Sequence, residues 1–158
     1  MSIRHSQGKD GRFAEKAMSA LKRREAREIV VGLLFESEFR SDENYVEIFA
    51  RSCEEREIPE DLFIKNAYYT IFEKQEEIDG LIGKHAHGWK TTRLSKLSRS
   101  ILRLAVYEML FEADIPYSVT INEAVELTKK FDDEKARPFV NGVLNSIKNT
   151  LEADKQDS

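Results

Sequence analysis

A chain of 158 residues with 41% hydrophobic and 34% charged residues is long enough for one domain with its own core, and a domain of this size buries roughly two-thirds of its unfolded surface. Only 7 Gly and 3 Pro disfavour a many-turned β fold, the single Cys53 excludes an internal disulfide, and no long uncharged run argues for export or membrane insertion. The net charge of −4 speaks against non-specific coating of nucleic acid and leaves a cytoplasmic, mainly helical protein as the expectation.

Residues 1–11, MSIRHSQGKDG, are polar and glycine-containing and read as a mobile tail, part of an N-terminal extension over residues 1–19. From Arg12 to about Arg40, Phe13, Ala17, Leu21, Ala26, Ile29, Val30, Leu33 and Leu34 recur at helical spacing, which predicts a long first helix. Ser41 to Asn44 makes a turn, and Tyr45 to Glu57 a second helix that Pro59 ends by its missing N–H. Between Glu60 and Lys84 a single stripe of Ile64, Ala67, Tyr68, Ile71, Gln75, Ile78 and Ile82 predicts one further helix.

HAHGWKTTRLSKL is then a connection, with Ser98 available as the N-cap of the helix that follows. RSILRLAVYEMLFEAD is apolar over most of its circumference, and such a helix belongs at the centre of a bundle. Ile115-Pro116 closes it, and Ser118 or Thr120 can cap the next helix, INEAVELTKKF, with Ile121, Ala124, Leu127, Thr128 and Phe131 inward and Glu126 paired to Lys130 outside. After DDEKAR, Pro138 sits in the first turn of a last helix whose inner face is Phe139, Val140, Val143, Ile147 and Leu151. The expected fold is all-α: one domain over residues 20–151, about seven helices in two packed bundles, with 152–158 a solvated tail.

Catalytic chemistry finds no support. Cys53 lies beside Glu54 and Glu55, which raise a thiol's pKa. His85 and His87 are two positions apart, so on a helix they point to opposite sides, and no cysteine or carboxylate set accompanies them as metal ligands. The seven glycines are scattered rather than gathered into a phosphate loop. The expectation is a protein without enzymatic activity, cofactor or metal.

Charge is unevenly distributed. Residues 1–30 hold eight bases against four acids, whereas residues 36–79 hold fourteen acids against five bases. Within KRREAREIVVGLLFESEF, Lys22 to Phe39, a helical wheel sets Ala26, Ile29, Val30, Leu33 and Leu34 toward the core. Arg23 and Arg27 flank that stripe, and Arg24, Val31 and Phe35 fall on the outer face. Arginine forks suit phosphate oxygens, and their planes stack on bases. The plainer alternative is a solvated charge run with Arg24 paired to Glu28.

Val31 and Phe35 continue the arginine row as an apolar pair, which reads either as a protein-binding strip or as a helix buried on two sides. A second basic group, Lys129, Lys130, Lys135 and Arg137, straddles the start of the last helix. There free N–H groups offer a phosphate seat and Phe139 either stacks on a base or packs in the core.

KRREAREIVVGLLFE, RSILRLAVYEML, IPYSVTINEAVELTKKF and FVNGVLNSI, in that order, resemble the NusB transcription antitermination proteins. The resemblance covers roughly residues 20–150. It implies two small helical bundles without catalytic activity, a partnership with the ribosomal small-subunit protein NusE, binding of the boxA element of nascent ribosomal RNA, and a place in the RNA polymerase antitermination complex. It assigns the RNA-binding segment to Lys22, Arg23, Arg24 and Arg27, an RNA-contacting aromatic to Phe139, and a NusE-facing aromatic to Phe35. This chain departs from the pattern in its longer N-terminal extension, in Asp132 where glycine is common, and in Pro138 where a polar or basic residue is frequent.

Two functions compete on this basis. In the first, Lys22, Arg23, Arg24, Arg27, Lys135, Arg137 and Phe139 contact RNA while Val31 and Phe35 dock the partner. In the second, the chain is a protein-interaction module without RNA contact, one that self-associates as a homodimer through its basic and acidic regions. A third, the related helical domain at the front of RNA cytosine methyltransferases, predicts a catalytic domain to follow. The first requires Arg24 and Arg27 to be reachable rather than locked against carboxylates of their own subunit.

Overall fold

The computed structural model describes the backbone of residues 8–86 and 94–156 and the side chains of residues 23–86 and 94–156. Among the described residues there are seven helices and no strand: α1 (Gly8–Glu38), α2 (Tyr45–Glu55), α3 (Leu62–Glu73), α4 (Gln75–His85), α5 (Lys96–Phe111), α6 (Tyr117–Phe131) and α7 (Ala136–Gln156). α1 begins at Gly8, so most of the expected N-terminal extension shares its helix with the domain. The side chain of Lys22, and His87, lie outside the described residues.

α5 is the centre. It packs against α1, α3, α4, α6 and α7, and every residue from Ser100 to Met109 is buried. Ile101, Leu102, Leu104 and Val106 on α5 join Val30, Leu33 and Leu34 on α1, Tyr68 and Ile71 on α3, and Val140, Val143, Leu144 and Ile147 on α7 in one core. Each fully buried aliphatic side chain contributes about 1.5–3 kcal/mol, which is why a helix with no polar face is stable only at this position.

Two charged residues are carried inside by α5, each with partners. Arg103 donates two hydrogen bonds to Asp79 at 2.8 Å and one to Glu38 at 2.8 Å, tying α5 to α4 and α1. Glu108 is fully buried and accepts from Arg27 and Thr120.

Helix starts follow cap chemistry, with changes from the expected residues. Asn44 and Asp61 cap α2 and α3 through side-chain oxygens. Ser95 rather than Ser98 caps α5, accepting from the Ser98 amide at 2.9 Å. Ser98 is instead buried and donates to Asp132 at 2.6 Å, as does Ser95 at 2.9 Å, so Asp132 pins the end of α6 to the start of α5.

α6 starts at Tyr117 with Pro116 in the cap position and no side-chain cap, so Ser118 and Thr120, the expected caps, lie inside its first turn, where Thr120 donates to Glu108. The helix expected over 60–84 is two, broken at Lys74. Ile71 and Ile78 on either side of the break reach the same core, so periodicity reads straight through it. Phe131, expected inward, is exposed.

Candidate nucleic-acid interface

Hydrophobic anchorage of α1 fixes the directions of its arginines, and the three differ. Arg23 lays its guanidinium over the Phe63 ring, 4.2 Å from the centroid, a cation–π contact that leaves it partly exposed. Arg24 donates from Nε and Nη2 to the two oxygens of Glu123 at 3.2 and 2.8 Å, yet its side chain remains 61% exposed. The hydrogen bonds to Glu123 and its charge together push the Arg24 pKa further up, so this cation is permanent.

Arg27, expected on the flank of the stripe, is buried. It donates to both Glu108 oxygens at 2.9 and 2.8 Å with its side chain 6% exposed. Removing either partner would strand a charge in the core. Of the two arginines that RNA contact was expected to need within reach, Arg27 is thus locked on its own subunit, holding α1 on α5, and only Arg24 stays open to a ligand.

Between α1 and α6 runs a groove of about 440 Å³ lined by Arg24, Glu28, Glu123, Glu126, Leu127, Lys129 and Lys130. Lys130 reaches across it to Glu28 at 2.7 Å. The two expected same-helix pairs, Arg24 with Glu28 and Glu126 with Lys130, are thus replaced by pairs that join α1 to α6. Glu123 and Lys130 are separated by about 10 Å along α6, and beyond Lys130 the chain passes through the loop with Lys135 into the first turn of α7 with Arg137.

Lys135 is exposed, and Arg137 pairs with the largely exposed Glu134 at 3.5 Å. The expected phosphate seat at the start of α7 is closed. The Ala136 and Arg137 amides donate to Asp133 and Glu134 carbonyls, and the third position is Pro138, which has no N–H. Phe139 is half-buried and packs against the core.

The apolar strip is shorter than expected at one end and longer at the other. Val31 is 2% exposed and belongs to the core, because α1 is covered on two sides by α3 and α5; it offers nothing to a partner. Phe35 is partly exposed and meets Phe39 edge-on at 5.0 Å, and Phe39 is 62% exposed with the Lys96 ammonium 4.3 Å from its ring centre.

The sequence pattern of the NusB family matches residues 24–149. The chain belongs to the NusB family. It is 42% identical over 132 residues to the transcription antitermination protein NusB of Bacillus subtilis, covering 84% of this chain and 98% of the relative. To the NusB of Acetivibrio thermocellus it is 41% identical over 127 residues, covering 79% and 87%. Among solved structures it resembles T. maritima NusB, with a TM-score of 0.68 and 40% identity over 79% of this chain and 89% of that one. It also resembles a chain in a crystal structure of the antitermination factors NusB and NusE with double-stranded RNA, with a TM-score of 0.71 and 34% identity over 81% and 96%.

For this NusB-family chain, sequence reasoning missed Phe39 and Lys96 on the outer strip and the carboxylate Glu123 opposite Arg24, and it gave Glu28 to Arg24 rather than to Lys130. Phe39 was within reach, since it lies one helical turn beyond Phe35. Glu123 was not, being ninety-nine positions from Arg24. The Cys53 thiol is pushed up as expected, but by burial, with Arg56 pulling the other way. No helix among the described residues is long and apolar enough to cross a membrane.

Proposed function

We propose that this protein binds boxA RNA of nascent ribosomal transcripts together with the ribosomal small-subunit protein NusE. Membership of the NusB family makes it a transcription antitermination factor. The observation that carries the RNA-binding reading is Arg24: a guanidinium 61% exposed, on a helix anchored by the buried Arg27–Glu108 pair, beside a groove bordered by Lys129 and Lys130. On this reading Lys22, Arg23, Lys135 and Arg137 add further cations for RNA, and Phe139 supplies an aromatic. Small arginine sites of this kind suit RNA on an otherwise acidic protein, where general electrostatic attraction is weak.

Phe35, Phe39 and Lys96 form the NusE-facing side on this reading. The likeness to the NusB chain solved with NusE and RNA supports both halves. The same reading puts the protein in the cytoplasm, within the RNA polymerase antitermination complex.

A gel shift with boxA-like and scrambled RNA, each with and without NusE, tests it. Selective retention of boxA RNA, strengthened by NusE, is the expected result. Equal retention of both RNAs, unmoved by NusE, refutes it. Self-association of the free chain through its basic and acidic regions is the competing reading, and sedimentation at two salt concentrations with and without NusE reads it directly.

A further inference from the structure

We propose that Glu123 and Glu28 are competitors of RNA phosphate: each holds a groove cation against its own subunit, and RNA binds by exchanging phosphate for carboxylate. The charges form an alternating row from core to solvent. Glu108 grips Arg27, Arg27 stands 4.0 Å from Glu123, and Glu123 grips Arg24 at 2.8 Å. Two carboxylates and two guanidiniums therefore balance.

Exposure differs sharply at the outer end. Glu123 is 14% exposed and Arg24 61%, so the carboxylate sits beneath and the cation faces outward. Arg24 spends Nε and Nη2 on Glu123 and keeps Nη1 for a ligand.

The rest of the groove repeats the arrangement. Lys130 is 59% exposed and held by Glu28 at 2.7 Å, and the lining as a whole is three bases, Arg24, Lys129 and Lys130, against three acids, Glu28, Glu123 and Glu126. A groove so balanced has little attraction for polyanions in general. Exposed ion pairs of this sort add little to stability, so the larger consequence of the carboxylates is for what the cations can bind. Glu123 and Glu28 thereby restrain sequence-independent RNA binding, and a ligand must offer phosphates at both cations to displace both carboxylates.

The inference rests on the RNA-binding reading, and one set of measurements separates their fates. Fluorescence anisotropy at two salt concentrations would follow boxA-like and scrambled RNA bound to the full chain and to Glu123→Gln, Glu28→Gln, Arg24→Ala and the Arg24→Ala/Glu123→Gln double variant. Expected is about three- to fivefold tighter binding of both RNAs by Glu123→Gln, a smaller gain for Glu28→Gln, and no gain from Glu123→Gln once Arg24 is absent.

If the unaltered protein prefers boxA and Arg24→Ala weakens it, but Glu123→Gln binds equally or less well, Glu123 only positions Arg24 and the inference falls while RNA binding stands. If the unaltered protein ignores boxA and Arg24→Ala changes nothing, both fall. Should circular dichroism show Glu123→Gln to be misfolded, Glu28→Gln decides: affinity no higher than that of the unaltered protein overturns the proposal.

Discussion

Arg24 and Arg27 stand three positions apart on one helix, and each grips a carboxylate through two nitrogens at 2.8–3.2 Å. Geometry of the pair does not separate them. Burial does: one side chain is 61% exposed and the other 6%. A turn of about 60° around the helix axis takes the guanidinium from solvent into the core, and the same hydrogen-bonded pair changes from an occupied binding group to an internal fastener. A run of arginines is therefore not one functional unit, and its members are sorted by the surface they meet.

The largest effect that can break this contrast is at Arg27. Arg27→Ala leaves the Glu108 carboxyl buried with only the Thr120 hydroxyl, and is expected to cost about 3–5 kcal/mol in urea unfolding. Replacing both partners, Arg27→Met with Glu108→Leu, should return most of that loss, since the penalty lies in the stranded charge rather than in the missing attraction. A single variant as stable as the unaltered protein would mean that burial is not what distinguishes the two arginines.

A middle-sized effect sharpens the contrast with a third ionised group, at the join of α5 and α6. Burial works against the Asp132 carboxylate, but the Ser98 hydroxyl, the Asp133 amide and the Ser95 hydroxyl together outweigh it and hold its pKa below the usual 3.8. Because the folded value is depressed, the stabilisation is fully present above the unfolded value and is lost as pH falls through the folded one. Asp132→Asn is expected to cost about 1–2 kcal/mol near neutrality, with the gap to the unaltered protein closing below pH 3.8. A gap that persists unchanged into acid would assign the loss to packing instead.

The periodic elements were legible because they follow from local rules. The apolar stripe of α1, the all-round burial of α5 and the inner face of α7 are set by spacing that any single helix displays. Three things were hidden for physical reasons. The break at Lys74 leaves no breaker residue and no change of face. The caps shifted because α5 starts at Lys96 and α6 at Tyr117, which puts Ser98 and Thr120 inside the first turns, where their hydroxyls serve Asp132 and Glu108. A wheel drawn for one helix places Arg27 on the flank of the stripe and leaves Val31 between a partner strip and a doubly covered helix, because it does not show how many neighbours cover it; α1 packs against α2, α3 and α5. At the candidate site the cations were visible in sequence, and their long-range counter-ions were not.

The smallest expected effect on folding is at Arg24, and it carries the functional half of the contrast. Arg24 is mostly exposed, and without it Glu123 still stands 4.0 Å from Arg27, so Arg24→Ala should move Tm by no more than about 2 °C. On the RNA-binding reading the same substitution removes one phosphate contact, which weakens boxA binding and lowers the salt slope by about 0.7 for a single strand. Melting and anisotropy on one preparation thus give opposite orders for the two arginines: Arg27→Ala dominates the first measurement and Arg24→Ala stands out only in the second. If Arg24→Ala instead unfolds as readily as Arg27→Ala, or binds RNA with undiminished affinity and slope, exposure has failed to sort the two residues and the outer arginine is no more a binding group than the inner one.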